Sequence, residues 1–505
     1  GDCFDDAASI ETALKEYPLF YKAGDDYVLP TDFLLAATGD YLIHLEERLK
    51  VLPANDTRYF YLLSIYECEK EIEKAFQTLL DEPNNTKTFS NLAAHLDKSV
   101  KKLSSSLHEK FDKQTFLEER TKLYTNIFAK KLFVLAGNPG SGKSYELLNI
   151  IKDIETQNES YILLAPTGKA ALRLKNDADF KGIEASTIDK LIADIKTGKR
   201  TKASVLNTNN IIIDEMSMVD LLKFHRLLEY INYQAPSLRR LILVGDPNQL
   251  PPIGYGKILR DIIYYCKTKS QYADNFIELT MNCRMELANS KLLDLSSAFT
   301  YKGELDEALK KLIVSGEEKI SEGLRVKFWA NEETLYEQIQ TEFELLCKQN
   351  KIKGSLKEKL HSLFGLDADG DFDTAIGFNL EYFQIITPYK AAYFGSTFIN
   401  EFVQDTFKPD DDLEIMEGWF KQSDKVIRTK NYYESNELII SNGSIGLARK
   451  EGHDVLYLPE NNYDPIEFNS IRKGERENFD LAYCITVHKS QGSGFDHTFV
   501  ILPQK

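Results

Sequence analysis

The sequence predicts a multidomain α/β protein: two cores built on parallel sheets, preceded by a helical region and interrupted by a small β insertion. Three observations predict it. Short apolar runs rich in β-branched residues (KLFVLAG, SYILLAP, NIIIDE, LRRLILVGD) alternate with helical patterns after Leu132, as expected of strands buried on both faces. The same texture returns near residue 383 (FQIITPY) and near 484 (CITVHKSQGSGFDHTFVILP). The 505 residues exceed what one hydrophobic core usually organises, and a hydrophobic content of 43% is enough to build several.

The elements follow in order. Residues 1–115 read as a helical domain without catalytic patterns. In YLIHLEERLKVL and YFYLLSIYECEKEIEKAFQTLL, apolar residues recur at helical spacing, punctuated by Pro18, Gly24, Pro30, Pro53 and EPNNT. The first α/β core covers 116–300, and its TGKRTKASVLNTNN stretch, near 195–209, reads equally as a small hairpin or as a solvated loop. The second core covers 301–505. Within it, 300–380 is mainly helical in pattern, and 408–480 contains short strand-like runs (ELIISNGSIGLARK, DVLYLPE) with Gly and Asn turns, the pattern of a β insertion.

The formal charge of −16 is the wrong sign for a protein that coats nucleic acid with a broad basic surface, so any such polymer is expected in a local groove. The six cysteines are scattered without a CxxC pair, which argues against a zinc site or a disulfide framework. No apolar run reaches membrane-spanning length and the opening GDCFDDAASIETALKEY is acidic, so no membrane partner and a cytoplasmic location are expected.

Gly137-Asn138-Pro139-Gly140-Ser141-Gly142-Lys143-Ser144 sits between a predicted strand and a predicted helix and fits G-x-x-x-x-G-K-[ST] completely. Its glycines let backbone amides and a helix N-terminus face a phosphate. Lys143 then reaches the β- and γ-phosphates, and the Ser144 hydroxyl serves Mg2+. Downstream, Ile211-Ile212-Ile213-Asp214-Glu215 ends a buried strand in two carboxylates. Asp214 is placed to hold the metal and Glu215 to orient and deprotonate the attacking water.

These motifs identify a nucleoside triphosphatase without saying what it drives. Ala165-Pro166-Thr167-Gly168-Lys169-Ala170-Ala171 resembles motif Ia of the RecD-like helicases of superfamily 1B, and Ser186-Thr187-Ile188-Asp189-Lys190-Leu191 resembles the next motif, with Asp189 where the family has histidine. IDEMSMV (213–219), Gly245-Asp246-Pro247-Asn248-Gln249-Leu250-Pro251-Pro252 and Leu279-Thr280-Met281-Asn282-Cys283-Arg284 are similar to motifs II, III and IV. Thr387-Pro388-Tyr389-Lys390, Asn442-Gly443-Ser444-Ile445-Gly446 and Thr486-Val487-His488-Lys489-Ser490-Gln491-Gly492-Ser493 continue in the family's order, so the resemblance runs from about Leu132 to the end.

The resemblance implies two RecA-like motor domains, an SH3-like insertion in the second, and ATP and Mg2+ as cofactors. It implies 5′-to-3′ translocation on single-stranded DNA, and RecB/RecC-like partners docked through the N-terminal domain in double-strand break repair. It gives Gln249 and Arg284 to the γ-phosphate and Gly492 to the nucleotide. It gives Pro166, Thr167, Lys169, Thr187, Tyr389, Asn442, His488, Lys489 and Ser490 to the nucleic-acid strand, with Tyr389, Tyr393 and Phe394 either stacking bases or filling the core. The alternatives are a nucleotide-binding scaffold subunit with weak hydrolysis and an RNA helicase of the same superfamily. Three departures stand out. Glu119-Arg120 lie where relatives have an adenine-reading glutamine, Gly494 replaces a ribose-contacting glutamate, and no motif VI arginine occurs before Lys505, past which the last lobe is expected to continue.

Overall fold

The computed structural model describes residues 49–503 apart from 55–56, 108–110, 177–179, 181, 284–291, 293–294, 296–306, 316–318, 322, 373–377, 413–414, 417, 435–436 and 460–461; before residue 49 it describes 4–6, 9–10, 21–22 and 25–26. The chain divides into two units: residues 1–166 with 182–288, and residues 167–181 with 289–505.

The first unit opens on an antiparallel hairpin, β1 (Leu49–Ala54) and β2 (Thr57–Leu62), with Phe4–Asp6 added along β2. Helical spacing predicts helix here, and the structure corrects that reading. Pro53 disfavours a helix interior, and the aromatic and β-branched run TRYFYL fits a pleated surface. Helix α1 (Leu63–Leu80) follows, then α2 (Leu92–Leu107) and α3 (Lys113–Ile127), which Asp112 caps through Thr115 N. Ile65, Ile72, Phe76 and Leu79 of α1 join the core that fills one side of the sheet, where Phe76 meets Phe224 at 5.4 Å between ring centroids.

That sheet has six parallel strands: β3 (Leu132–Gly137), β4 (Tyr161–Ala165), β5 (Ala185–Thr187), β6 (Asn210–Ile213), β7 (Arg240–Gly245) and β8 (Phe276–Leu279), in the spatial order β8-β3-β7-β6-β4-β5. All residues of β3, β6 and β7 are buried, which is why their sequences, after the leading Asn210 of β6 and Arg240 of β7, are continuous apolar runs without alternation. Helices α4 (Lys143–Thr156), α6 (Ile188–Lys196), α7 (Lys202–Leu206), α8 (Leu221–Tyr230) and α9 (Ile258–Thr268) connect strands of this unit; α5 (Gly168–Asn176), between β4 and β5 in sequence, belongs to the second unit. The 195–209 stretch is thus neither hairpin nor plain loop: Thr201 caps the short α7 by accepting from Ser204 N.

In the second unit, α10 (Glu332–Gln349) and α11 (Leu356–Leu363) precede two sheets. The elements that follow include β9 (Phe383–Thr387), α12 (Ser396–Phe407), β10 (Asp424–Arg428), β11 (Ile445–Lys450), β12 (Asp454–Tyr457), β13 (Pro465–Glu467), β14 (Phe479–Leu481), β15 (Cys484–Thr486), α13 (Val487–Ser490) and β16 (His497–Val500). They form a three-stranded parallel sheet, β15-β9-β16, and a five-stranded antiparallel sheet, β13-β12-β11-β10-β14. Among the described residues no helix is long and apolar enough to cross a membrane.

Lys425 on β10 is fully enclosed. Its Nζ donates to the carbonyls of Leu380 (2.7 Å) and Phe383 (2.9 Å) and lies 5.0 Å from the Phe364 ring centroid. Burial pulls its ammonium down to about 7; Glu381 opposes the shift and Lys169 adds to it. The unfolded chain keeps a lysine charged to about pH 10, so between these values the unfolded state binds more protons than the folded one. The group's contribution to stability is therefore full above the unfolded value and is lost as pH falls toward 7, at about 1.4 kcal/mol per pH unit. Lys425→Met is expected to abolish that slope. Its stability relative to wild type should be greatest near pH 7 and shrink toward about pH 10, as read by urea unfolding at both ends of the window; a pH-independent difference would refute this.

Candidate nucleotide site and strand-binding surface

The parallel register aligns the strand ends of the first unit along one edge: Gly245 pairs with Ala136, and Leu243 pairs with both Val134 and Ile213. The chain leaves β3 toward β4 on one side and leaves β7 toward β8 on the other. The ends of these neighbouring strands therefore flank the sheet's switch point, where ligands of open α/β sheets bind.

The phosphate loop occupies that point. Gly140 (φ 82°) and Gly142 (φ 87°) take left-handed conformations that a side chain disfavours. A Cβ on Gly137 would come 2.5 Å from Ser141 Oγ and 2.8 Å from Leu279 O. The loop is thus drawn in more tightly than any other residue type allows, a cradle that fits phosphate oxygens against the N-terminus of α4. Lys143 Nζ donates to Gly137 O (2.6 Å) and Asn138 O (3.1 Å), which holds the ammonium over the loop. Ser144 is the second residue of α4.

The other strand ends bring carboxylates and amides to the same edge. Asp214 is 9% exposed, and its backbone N–H donates to Leu164 O. Glu215 follows at φ 50°, a left-handed conformation uncommon for a glutamate that redirects the chain at the end of β6. Gln249 Oε1 accepts from Ser217 Oγ at 3.2 Å, tying the Gly245–Pro252 segment to the IDEMSMV segment, and Asn248 Nδ2 donates to Asn138 Oδ1 of the phosphate loop at 3.0 Å. The sequence reading missed Asp246. It is 1% exposed at the end of β7, and burial raises its carboxyl, with Lys143 opposing and Glu215 adding to the rise. Its place directly after the strand-ending Gly245 was the available signal. Arg284 lies outside the described residues.

For the strand-binding candidates the structure sorts burial from exposure. Thr187 is 3% exposed, and its Oγ1 caps α6 by accepting from Lys190 N, which makes it a capping residue rather than a surface hydroxyl. Pro166 is likewise buried, its carbonyl accepting from Lys223 Nζ. The same Lys223 pairs with Asp189 at 2.9 Å, so the residue that departs from the family's histidine closes a local ion pair. In the second unit Lys169 Nζ donates to Ser493 Oγ, and a Cβ on Gly168 would come 2.6 Å from Ser441 Cβ. The start of α5, with Thr167 and Lys169, therefore lies beside both the Ser441-Asn442-Gly443 turn and the 486–493 motif. His488 is exposed. Lys489 (3.3 Å) and Lys390 (3.7 Å) share Asp480, and the Ser490 hydroxyl donates to Val487 O. Gly492 takes φ 75°. Tyr389 is 43% exposed, whereas Tyr393 and Phe394 are partly buried and pack against the core of the second unit.

A family model described as an AAA domain matches residues 121–255. An uncharacterized protein of Methanocaldococcus jannaschii is 28% identical over 88% of this chain and 40% of its own length. The RecD subunit of the RecBCD enzyme from Buchnera aphidicola is 28% identical over 80% of this chain and 70% of its own. The ATP-dependent RecD2 DNA helicase of Deinococcus radiodurans is 26% identical over 86% of this chain and 50% of its own. The chain thus spans about two fifths, seven tenths and half of these relatives. The similarity to these RecD proteins runs through four fifths or more of the sequence, rather than through the phosphate loop alone.

Proposed function

We propose that the chain is an ATP-dependent DNA helicase that translocates 5′ to 3′ on single-stranded DNA, as the motor subunit of a helicase–nuclease assembly. The observation that carries the reading is the convergence of Lys143, the Asp214–Glu215 pair and Gln249 on one edge of a single parallel sheet, at its switch point. In this reading Lys143 neutralises the β- and γ-phosphates, Glu215 takes the proton of the attacking water, and Gln249 and Arg284 contact the γ-phosphate. Ser144 and Asp214 would hold Mg2+, which offsets phosphate charge when bound. Lys169, Thr167, Asn442, His488, Lys489 and Ser490, with Tyr389 as a stacking face, would grip the strand through its backbone. Residues 1–115 as a RecB/RecC-docking region, and 116–300 and 301–505 as the two motor lobes, belong to the same proposal.

Strand displacement tests it. Duplexes carrying a 5′ single-stranded tail should be unwound with ATP, and those with a 3′ tail should not. Equal unwinding of RNA and DNA tails would favour the RNA reading. ATP hydrolysis indifferent to any single strand would favour a scaffold.

A further inference from the structure

Two residues beneath the phosphate loop have no role in the reading above. Arg120, on α3, is completely buried, with its guanidinium 4.5 Å from the Phe116 ring centroid. Its Nη2 donates to the Ser141 carbonyl of the loop at 2.5 Å, its Nε to Glu146 Oε1 on the first turn of α4 at 3.1 Å, and its Nη1 to Glu119. Glu146 is held from its other oxygen by the Tyr124 hydroxyl. The second oxygen of Glu119 accepts from Thr280 N (2.7 Å), Thr280 Oγ1 (2.6 Å) and Met281 N (3.3 Å), just past the end of β8. Two residues further on, Cys283 N donates to Gly140 O at 2.8 Å, and the next residue in sequence is Arg284.

This arrangement fixes a peptide plane. In a trans peptide the C=O and the following N–H point in opposite directions. With the Ser141 carbonyl tied down onto Arg120, the Gly142 N–H is turned toward the opposite face of the loop, where a phosphate would lie. Only a guanidinium offers donors in this rigid fork; a lysine at 120 keeps the charge and loses the geometry. Glu119 ties the same guanidinium to Thr280 and Met281, just past the end of β8.

We infer that Arg120 is a positioning residue: it sets the phosphate loop in its anion-binding shape, with Glu119 holding its guanidinium from the end of β8. The inference rests on the nucleotide-site reading above, and the failure of each is read separately. Arg120→Lys is expected to weaken equilibrium binding of a fluorescent ATP analogue by about tenfold or more, because misaligned loop amides lose contacts, while kcat at saturating ATP falls by less. Glu119→Gln, whose single acceptor oxygen cannot serve both Arg120 and the Thr280 end of β8, is expected to weaken the same binding by about threefold or more. A loss carried by affinity more than by kcat is not what a general loss of stability produces. Wild-type binding of the analogue, lost in Lys143→Ala, is the control; its absence would sink the nucleotide-site reading itself. Arg120→Lys binding within about twofold of wild type overturns the positioning role. Should Arg120→Lys not fold, Glu119→Gln decides: binding within about twofold of wild type overturns the role as well.

Discussion

Replacing Lys143 with alanine is expected to lower single-strand-stimulated ATP hydrolysis by about two to three orders of magnitude, with little change in folding stability. The ammonium reaches over the loop to Gly137 O and Asn138 O from the first position of α4, so it stands where the charge of a bound triphosphate tail would fall. Removing it leaves developing phosphate charge to the loop amides and the helix end alone. The loop's own shape does not depend on it: the Ser141 carbonyl is held by Arg120, the Gly140 carbonyl by Cys283 N, and Ser141 Oγ donates to Asn138 O. The loss should therefore appear in kcat and in nucleotide affinity and not in the melting temperature. Steady-state hydrolysis with and without an oligonucleotide, beside a thermal melt, measures both. Retention of hydrolysis within about tenfold would mean that the ammonium is not a transition-state contact.

What the sequence made legible follows the range of each interaction. The phosphate loop and the acidic strand end are strings of adjacent residues whose chemistry is local, and the buried strands announce themselves by unbroken apolar runs. The Glu119-Arg120 pair was visible only as a departure from the family's glutamine. Its partners lie 21, 26 and 161 residues away, a distance no local pattern spans. Thr187 is instructive in the opposite direction. A threonine just before an apolar helical run is an N-cap signal, and that local use engages the hydroxyl the family resemblance gives to the strand. Helical spacing misleads at 49–62 because apolar residues spaced for one helix face also suit a strand when aromatic and β-branched residues dominate; Pro53 is the discriminating residue.

Asp424→Ala is expected to be the most destabilising single change in the second unit. Asp424 Oδ1 accepts from Lys408 Nζ and from the Tyr483 hydroxyl, each at 2.7 Å, and Oδ2 accepts from Lys421 N at 2.8 Å and from Gln404 Nε2. Both members of the Lys408–Asp424 pair have fully buried side chains. Burial pulls the Lys408 ammonium down while Asp424, the strongest opposing influence, favours its charge. Deleting the carboxylate leaves that cation in the interior with carbonyl and hydroxyl oxygens only, a change that costs about 3–5 kcal/mol in comparable buried pairs. The position magnifies the effect. Asp424 opens β10 of the antiparallel sheet, Lys408 ends α12, and Tyr483 immediately precedes β15 of the parallel sheet, so one carboxylate joins three elements of the unit. A downward shift of roughly 10 °C in the second unit's calorimetric transition is expected. The double change Asp424→Leu with Lys408→Met, which removes both charges at similar volume, should recover part of that shift and not all of it, because Gln404 and Lys421 N lose their acceptor in either case. A single variant melting within about 2 °C of wild type would show that Lys408 finds another anion or gives up its proton, and that the carboxylate does not hold the two sheets together.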